Sequence, residues 1–205
     1  MIHMLSIRKL LVVSLLASAC SQGGTTPKPN KIIMLFADGA GTEQWTLAHF
    51  ADENLAVRQM PVTGLVDTRG SNHQVSGSAP TATAFATGTR SVMGAIGVGP
   101  DSIPRESVLE KAHLQGWGTG LITTTTITDA TPAAFAAHVP SRTQRMDILQ
   151  QMVNLPVNVL LGGGSRMIEV LEEQGLKELQ TLIADRYRYV DSSTELSILS
   201  QDSTT

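Results

Sequence analysis

Ser78 heads an Ala/Thr-rich stretch that ends at Gly88, within the run Ser76-Gly77-Ser78-Ala79-Pro80-Thr81-Ala82-Thr83-Ala84-Phe85-Ala86-Thr87-Gly88. Pro80 suits a first helical turn and Gly88 a C-terminal cap, so the pattern predicts a helix over residues 78–87. A helix N-terminus presents free N–H groups and a partial positive charge, which makes it an anion site. A serine hydroxyl placed there can attack while the amides hold a phosphoryl group. The same serine can equally be a plain N-cap.

Four more residues have the right types to join it. Asp38 precedes Gly39 and Gly41, and its carboxylate could hold a hard or borderline cation; a turn aspartate capping the next helix is the alternative. Asp129-Ala130-Thr131 sets a carboxylate and a hydroxyl two residues apart near a helix start. Both are oxygen ligands suited to magnesium, and either could instead cap the helix at Pro132. Arg142 could clamp an oxyanion in bidentate fashion. The histidines are His3, His49, His73, His113 and His138, and no two have metal-ligand spacing. His138 reads as a packing or capping residue, and His73 precedes Ser78 without an evident role. Gly162-Gly163-Gly164 lacks the Lys-Ser/Thr end of a phosphate loop and reads as a strand exit.

These residues must be positioned by alternating elements. Continuous apolar or β-branched runs predict strands over 31–36, 62–68, 120–125 and 157–161. Helices are predicted over 42–52, 78–87, 107–115, 131–138, 142–153 and 165–174. That alternation predicts an α/β fold, a mainly parallel sheet flanked by helices. Ligands collect beyond the carboxyl ends of such strands, which would put Asp38, Ser78 and Asp129 on one face.

The chain has 205 residues and a formal charge of −3, with no basic run beyond the N-terminus, so nucleic-acid binding is not indicated. Arg8 and Lys9 precede an apolar stretch that ends at Ala17-Ser18-Ala19-Cys20. Residues 1–19 therefore read as a signal peptide of the lipoprotein type, with Cys20 as the lipidated first mature residue. Ordinary cleavage nearby, with Cys20 incidental, is the alternative. Cys20 is the single cysteine, so no internal disulfide is available. Residues 20–30 read as a tether and 31–205 as the folded part.

Taken in order, several segments resemble the alkaline phosphatase family. They are Ile32-Ile33-Met34-Leu35-Phe36-Ala37-Asp38-Gly39-Ala40-Gly41, the Ser78 to Gly88 run, Gly94-Ala95-Ile96-Gly97-Val98, Thr123 through Asp129-Ala130-Thr131-Pro132 to His138-Val139, Ser141-Arg142, and Leu161-Gly162-Gly163-Gly164. The resemblance implies an alkaline-phosphatase-like α/β fold, here incomplete. It implies metal-dependent hydrolysis of phosphate monoesters through a phosphoserine, with Zn2+ and Mg2+ as cofactors. Ser78 would be the nucleophile, its oxygen on a zinc, and Asp38 would bridge that zinc and the magnesium. Asp129 and Thr131 would be magnesium-side ligands, and Arg142 would clamp the phosphate. Phosphate monoesters and inorganic phosphate would be the ligands, a homodimer fits the family, and the location would be periplasmic or cell-envelope, through a lipid anchor on Cys20.

Two departures accompany the likeness. Gly77 stands where the family usually has an aspartate that orients the arginine. The family's further zinc-binding aspartates and histidines, and its magnesium glutamate, belong to a later half that has no counterpart up to Thr205. The chain alone is therefore expected to be inactive or nearly so. A truncated, non-catalytic lipoprotein remnant is the alternative reading. A related metal-dependent phosphodiesterase or sulfatase is disfavoured by the serine helix and Asp129-Ala130-Thr131.

Overall fold

In the computed structural model, residues 30–171, 173 and 175–202 are described. The expected signal peptide and Cys20 lie outside them. The chain divides into two compact units, Met1–Ala37 and Asp38–Thr205.

In the first unit, residues 31–37 form no strand. Ile33 and Leu35 stand 83% and 85% exposed, so the expectation of a doubly buried strand over 31–36 is corrected. The expected strand over 62–68, in the second unit, is also unformed. Val62, Leu65 and Val66 are exposed there. The physical reason is the same for both. β-propensity supplies a chain that fits a pleated surface, but a strand exists only when a neighbour takes its N–H and C=O groups.

The second unit runs α1 (Thr42–Ala51), a 3-10 turn (Ala56–Gln59), α2 (Ser78–Thr87), α3 (Val108–Leu114), β1 (Gly120–Thr126), α4 (Ala130–Ala133), α5 (Arg145–Asn154), β2 (Val159–Gly163), α6 (Ser165–Glu169), α7 (Lys177–Arg186) and α8 (Ser193–Asp202). Among the described residues, β1 and β2 form a two-stranded parallel sheet, with Leu121 opposite Leu160. Parallel pairing with helical crossover is the expected α/β logic on a small scale.

α2 packs against α4 through very small side chains. Ala79, Ala82 and Ala86 on α2 and Ala130, Ala133, Ala134 and Ala137 around α4 are all buried, with Ile96, Ile148 and Met152 in the same core. Alanines cost no side-chain entropy on burial and let backbones approach closely. α5 serves two cores at once. Ile148 and Met152 face the first cluster, while Leu149 and Val153 face a second with Leu171, Leu179 and Ile183. Both pairs have the i, i+4 spacing of a helical ridge.

α4 is shorter than the helix expected over 131–138. After Ala133 the amides of Phe135 and Ala136 reach back three residues, to Pro132 and Ala133. Val139 then exchanges both backbone bonds with Ile96, at 2.9 Å each. The tertiary bridge pulls the chain out of the helix. α5 starts three residues later than the expected 142, and α6 is a single short turn of the expected 165–174.

A polar hub lies beside this bridge. Ser107 and Glu110 form a capping box on α3: the Ser107 hydroxyl accepts the Glu110 N–H, and the Glu110 carboxylate accepts the Ser107 N–H. The other Glu110 oxygen lies 2.8 Å from His138 Nε2, and His138 Nδ1 lies 2.7 Å from the Gly97 carbonyl. A carbonyl and a carboxylate can only accept, so both ring nitrogens must donate and the ring is imidazolium. The Glu110 bond, opposed by burial, pushes the His138 pKa up from its ordinary value.

A group whose folded pKa is raised adds stability that is complete below its unfolded pKa, about 6.5, and is lost as pH rises through the folded value. The thermal midpoint of the native chain should therefore fall as pH is raised from about 6 towards 9. His138→Ala should be less stable at low pH by roughly 1–3 kcal/mol and should show a flatter profile. Parallel pH profiles for the two proteins would exclude the imidazolium hub.

Candidate active site

Asp38 opens the second unit on a turn, where Gly39 adopts φ +79°, a left-handed conformation open to glycine. Gly41 is the N-cap of α1, and its N–H donates to Gln44 Oε1 at 2.9 Å. Asp38 therefore does not cap that helix, and its carboxylate is left for tertiary contacts.

Ser78 is the first residue of α2, and Gly77 is the N-cap. The serine hydroxyl does not cap the helix either. It donates to Asp38 Oδ1 at 3.1 Å, across 40 residues of sequence. The second Asp38 oxygen, Oδ2, accepts the Thr131 hydroxyl at 2.9 Å, across 93 residues. One exposed carboxylate thus gathers two hydroxyls from two different helices.

Asp129 is the N-cap of α4 and accepts the Ala130 N–H at 2.8 Å. The same oxygen accepts an Nη2–H from Arg142 in an ion pair. Burial pushes its carboxyl up, but the Ala130 N–H and the Arg142 and Arg145 charges outweigh it and leave the pKa lowered. Arg142 is presented by the segment that follows the Ile96–Val139 bridge, and its own N–H donates to the Gly94 carbonyl at 2.8 Å.

The five residues singled out in the sequence are thus linked by two hydroxyl bonds, one short turn and one ion pair. Asp129 behaves as both capping residue and arginine partner, and Thr131 turns away from the cap to Asp38. The Asp129–Arg142 pair itself had no signal in the sequence beyond opposite charge. Glu110 was not singled out, although Ser107-Val108-Leu109-Glu110 is a readable capping box. His73 has its Nδ1 against the Asn72 carbonyl, with no bond to these five residues. The three glycines end β2 and turn the chain, with Gly164 at φ +106°.

Asp38, Ser78 and Thr131 offer a cluster of hard oxygens, the donor chemistry of magnesium. Zinc is a different matter. Among the described residues no group of three His, Cys, Asp or Glu side chains is placed to hold a metal. One carboxylate with hydroxyls falls short of the roughly four ligands zinc takes.

Comparison with known proteins identifies the family. The alkaline phosphatase family profile matches residues 30–205. The chain belongs to the alkaline phosphatase family. It is 37% identical over 173 residues to the repressible alkaline phosphatase of Saccharomyces cerevisiae, covering 76% of this chain and 30% of that protein. It is 32% identical over 216 residues to alkaline phosphatase H of Pseudomonas aeruginosa, covering 88% and 45%. The alkaline phosphatase of the Antarctic bacterium TAB5 superposes with a TM-score of 0.71 at 28% identity, over 82% of this chain and 50% of that one. A variant of the TAB5 enzyme has been solved with magnesium bound. The fold is therefore alkaline-phosphatase-like, and the chain spans half or less of the length of these relatives.

Magnesium titration followed by NMR should move the Asp38, Ser78 and Thr131 signals together, and Asp38→Ala should abolish the shift. Unchanged magnesium affinity in Asp38→Ala would place the cation elsewhere.

Proposed function

We propose that this alkaline phosphatase family member hydrolyses phosphate monoesters through a covalent phosphoserine on Ser78. The observation that carries the reading is the Ser78 hydroxyl, freed from helix capping and held by Asp38 at 3.1 Å. Ser78 is half-buried, and donating its proton to Oδ1 leaves the oxygen lone pairs free for attack. In the first step Ser78 gives up its hydroxyl proton and its Oγ bonds to phosphorus as the ester P–O bond breaks, the departing alkoxide taking up one proton to leave as the alcohol. In the second, water attacks the phosphoserine, inorganic phosphate departs and Ser78 regains its proton.

Arg142 would supply positive charge to the phosphoryl oxygens, and the free amides at the head of α2 would offer further donors. Asp38 and Thr131 would hold magnesium, which when bound neutralises charge on a dianion that otherwise resists attack. No step is assigned to zinc, because the described donors do not assemble a site for it.

The donor set also supports a second reading, that residues 1–205 alone turn over little or not at all. Without strong activation a serine hydroxyl is a weak nucleophile. The test compares this chain with a version extended to the length of its relatives, each supplied with zinc and magnesium and assayed on an aryl phosphate. The extended protein should be active, and acid quenching should trap one phosphoryl group on the peptide that contains Ser78. Ser78→Ala should lose both signals. Turnover that survives Ser78→Ala would remove it as nucleophile. Robust Ser78-dependent turnover by the short chain would overturn the second reading.

We also infer export and anchoring through Cys20, from the basic, apolar and small-residue order of residues 8–20. Among the described residues no helix is long and apolar enough to cross a membrane. Mass spectrometry of the mature protein should find an acylated Cys20 at its N-terminus. A mature form that begins after Cys20 would rule this out.

A further inference from the structure

Met93 and Gly94 are the central pair of a tight turn in which the Val92 carbonyl accepts the Ala95 N–H at 3.2 Å. Gly94 adopts φ +82°, a left-handed conformation that suits glycine at the third position of a turn. The turn is held from both sides. Ser91 before it is fully buried and donates its hydroxyl to the Val98 carbonyl at 2.7 Å. Ile96 after it exchanges backbone bonds with Val139, and the Gly94 carbonyl accepts the Arg142 N–H at 2.8 Å.

From this fixed turn the Met93 side chain stands out, 43% exposed. Its sulfur lies beside Gly77, the N-cap residue of α2, where a Cβ would come 3.2 Å from Sδ. One thioether thus sits between the backbone that presents Ser78 and the turn that anchors Arg142. Gly77 has no side chain with which to cap α2, so the Ser78 and Ala79 N–H groups lack an N-cap oxygen, and Pro80 has no N–H. Met34 and Met60 are as exposed as Met93. Met93 is set apart by its place beside the head of α2, not by access.

We propose that Met93 is a site of reversible oxidation: its sulfur, placed beside the N-cap of the Ser78 helix, is converted by hydrogen peroxide to the sulfoxide, whose oxygen competes with an anion for the α2 amides. A sulfur lone pair attacks one peroxide oxygen, and the S–O bond forms as the O–O bond breaks. The departing hydroxide takes the proton of the transferred oxygen and leaves as water. Sulfur gives up two electrons and the peroxide gains them. The product is a polar acceptor where an apolar thioether stood. The inference rests on the phosphatase reading only for the identity of the anion.

The test uses the 205-residue chain and its Met93→Leu variant, which keeps a similar apolar volume but has no sulfur at that position. Both are treated with hydrogen peroxide, and peptide mass spectrometry locates the sulfoxides. Amide NMR signals of Gly77, Ser78 and Ala79 and the affinity for inorganic phosphate are recorded before and after. Met93 should oxidise well before Met152, which is fully buried. The three amides should shift in the native chain and not in Met93→Leu. Phosphate binding should weaken about tenfold in the native chain alone, as when one charge-assisted hydrogen bond is displaced. Methionine sulfoxide reductase should restore it.

Equal amide shifts or equal phosphate losses in the two proteins would overturn the proposal, because the other methionines oxidise in both. So would a Met93 that oxidises no faster than Met152. An untreated chain that takes up no phosphate would count against the phosphatase reading alone, while amide shifts confined to the native chain would still support the role of Met93.

Discussion

The close approach of two alanine-rich segments governs the second unit. α2 and the 130–137 stretch bury Ala79, Ala82, Ala86, Ala130, Ala133, Ala134 and Ala137 in one core with Ile96. With larger side chains here the two backbones would stand apart, and close-packed interiors tolerate such expansion poorly. Their approach puts the head of α2 beside the head of α4, and the two site hydroxyls ride on those heads. Asp38 then needs only its two oxygens to join Ser78 and Thr131.

Polar groups lock the same packing from inside. Thr83 is fully buried on α2, and its hydroxyl oxygen accepts the Gly97 N–H at 3.0 Å. Gly97 also has its carbonyl on His138, and its φ of +63° and its neighbours leave no room for a side chain. A Cβ built there would lie 2.0 Å from the Ala137 carbonyl oxygen. The bridge from Ile96 to Val139 continues this seam to the segment that carries Arg142. The arginine is thus placed by backbone bonds that begin in the core, and its guanidinium is finished by Asp129.

The two site aspartates differ in exposure and in partner. Asp38 is exposed and shared by two hydroxyls, whereas Asp129 is half-buried and neutralised by Arg142. Two aspartates with similar sequence settings therefore end in different electrostatic states. The exposed one is bonded to two hydroxyls, while the other is paired with a guanidinium. Elsewhere Asp67 is paired with both Arg69 and Arg90 on the surface, and the Arg69 hydrogen bond holds its carboxyl well below the ordinary range. Exposed pairs of that kind contribute little to stability.

Much of this was legible before any fold was known. The helix at Ser78, its end at Gly88, the β1 and β2 strands and the α3 capping box follow from local rules: Pro and Gly placement, β-branched runs and reciprocal side-chain caps. The candidate residues Asp38, Ser78, Asp129, Thr131 and Arg142 were also visible, as residue types at turn and helix-start positions. Local rules could not say which oxygen would cap a helix and which would be left for chemistry. Ser78 and Asp129 both sit where a cap is expected, yet only Asp129 caps, because Gly77 takes that position on α2. Nor could they show that residues 31–36 and 62–68 would stay unpaired, since a strand is a property of two chains in register. The Asp38 hydroxyl bonds and the His138 hub span 28 to 93 residues of sequence. Contacts at that separation are chosen by how the small-residue core closes, and only the tertiary structure decides it.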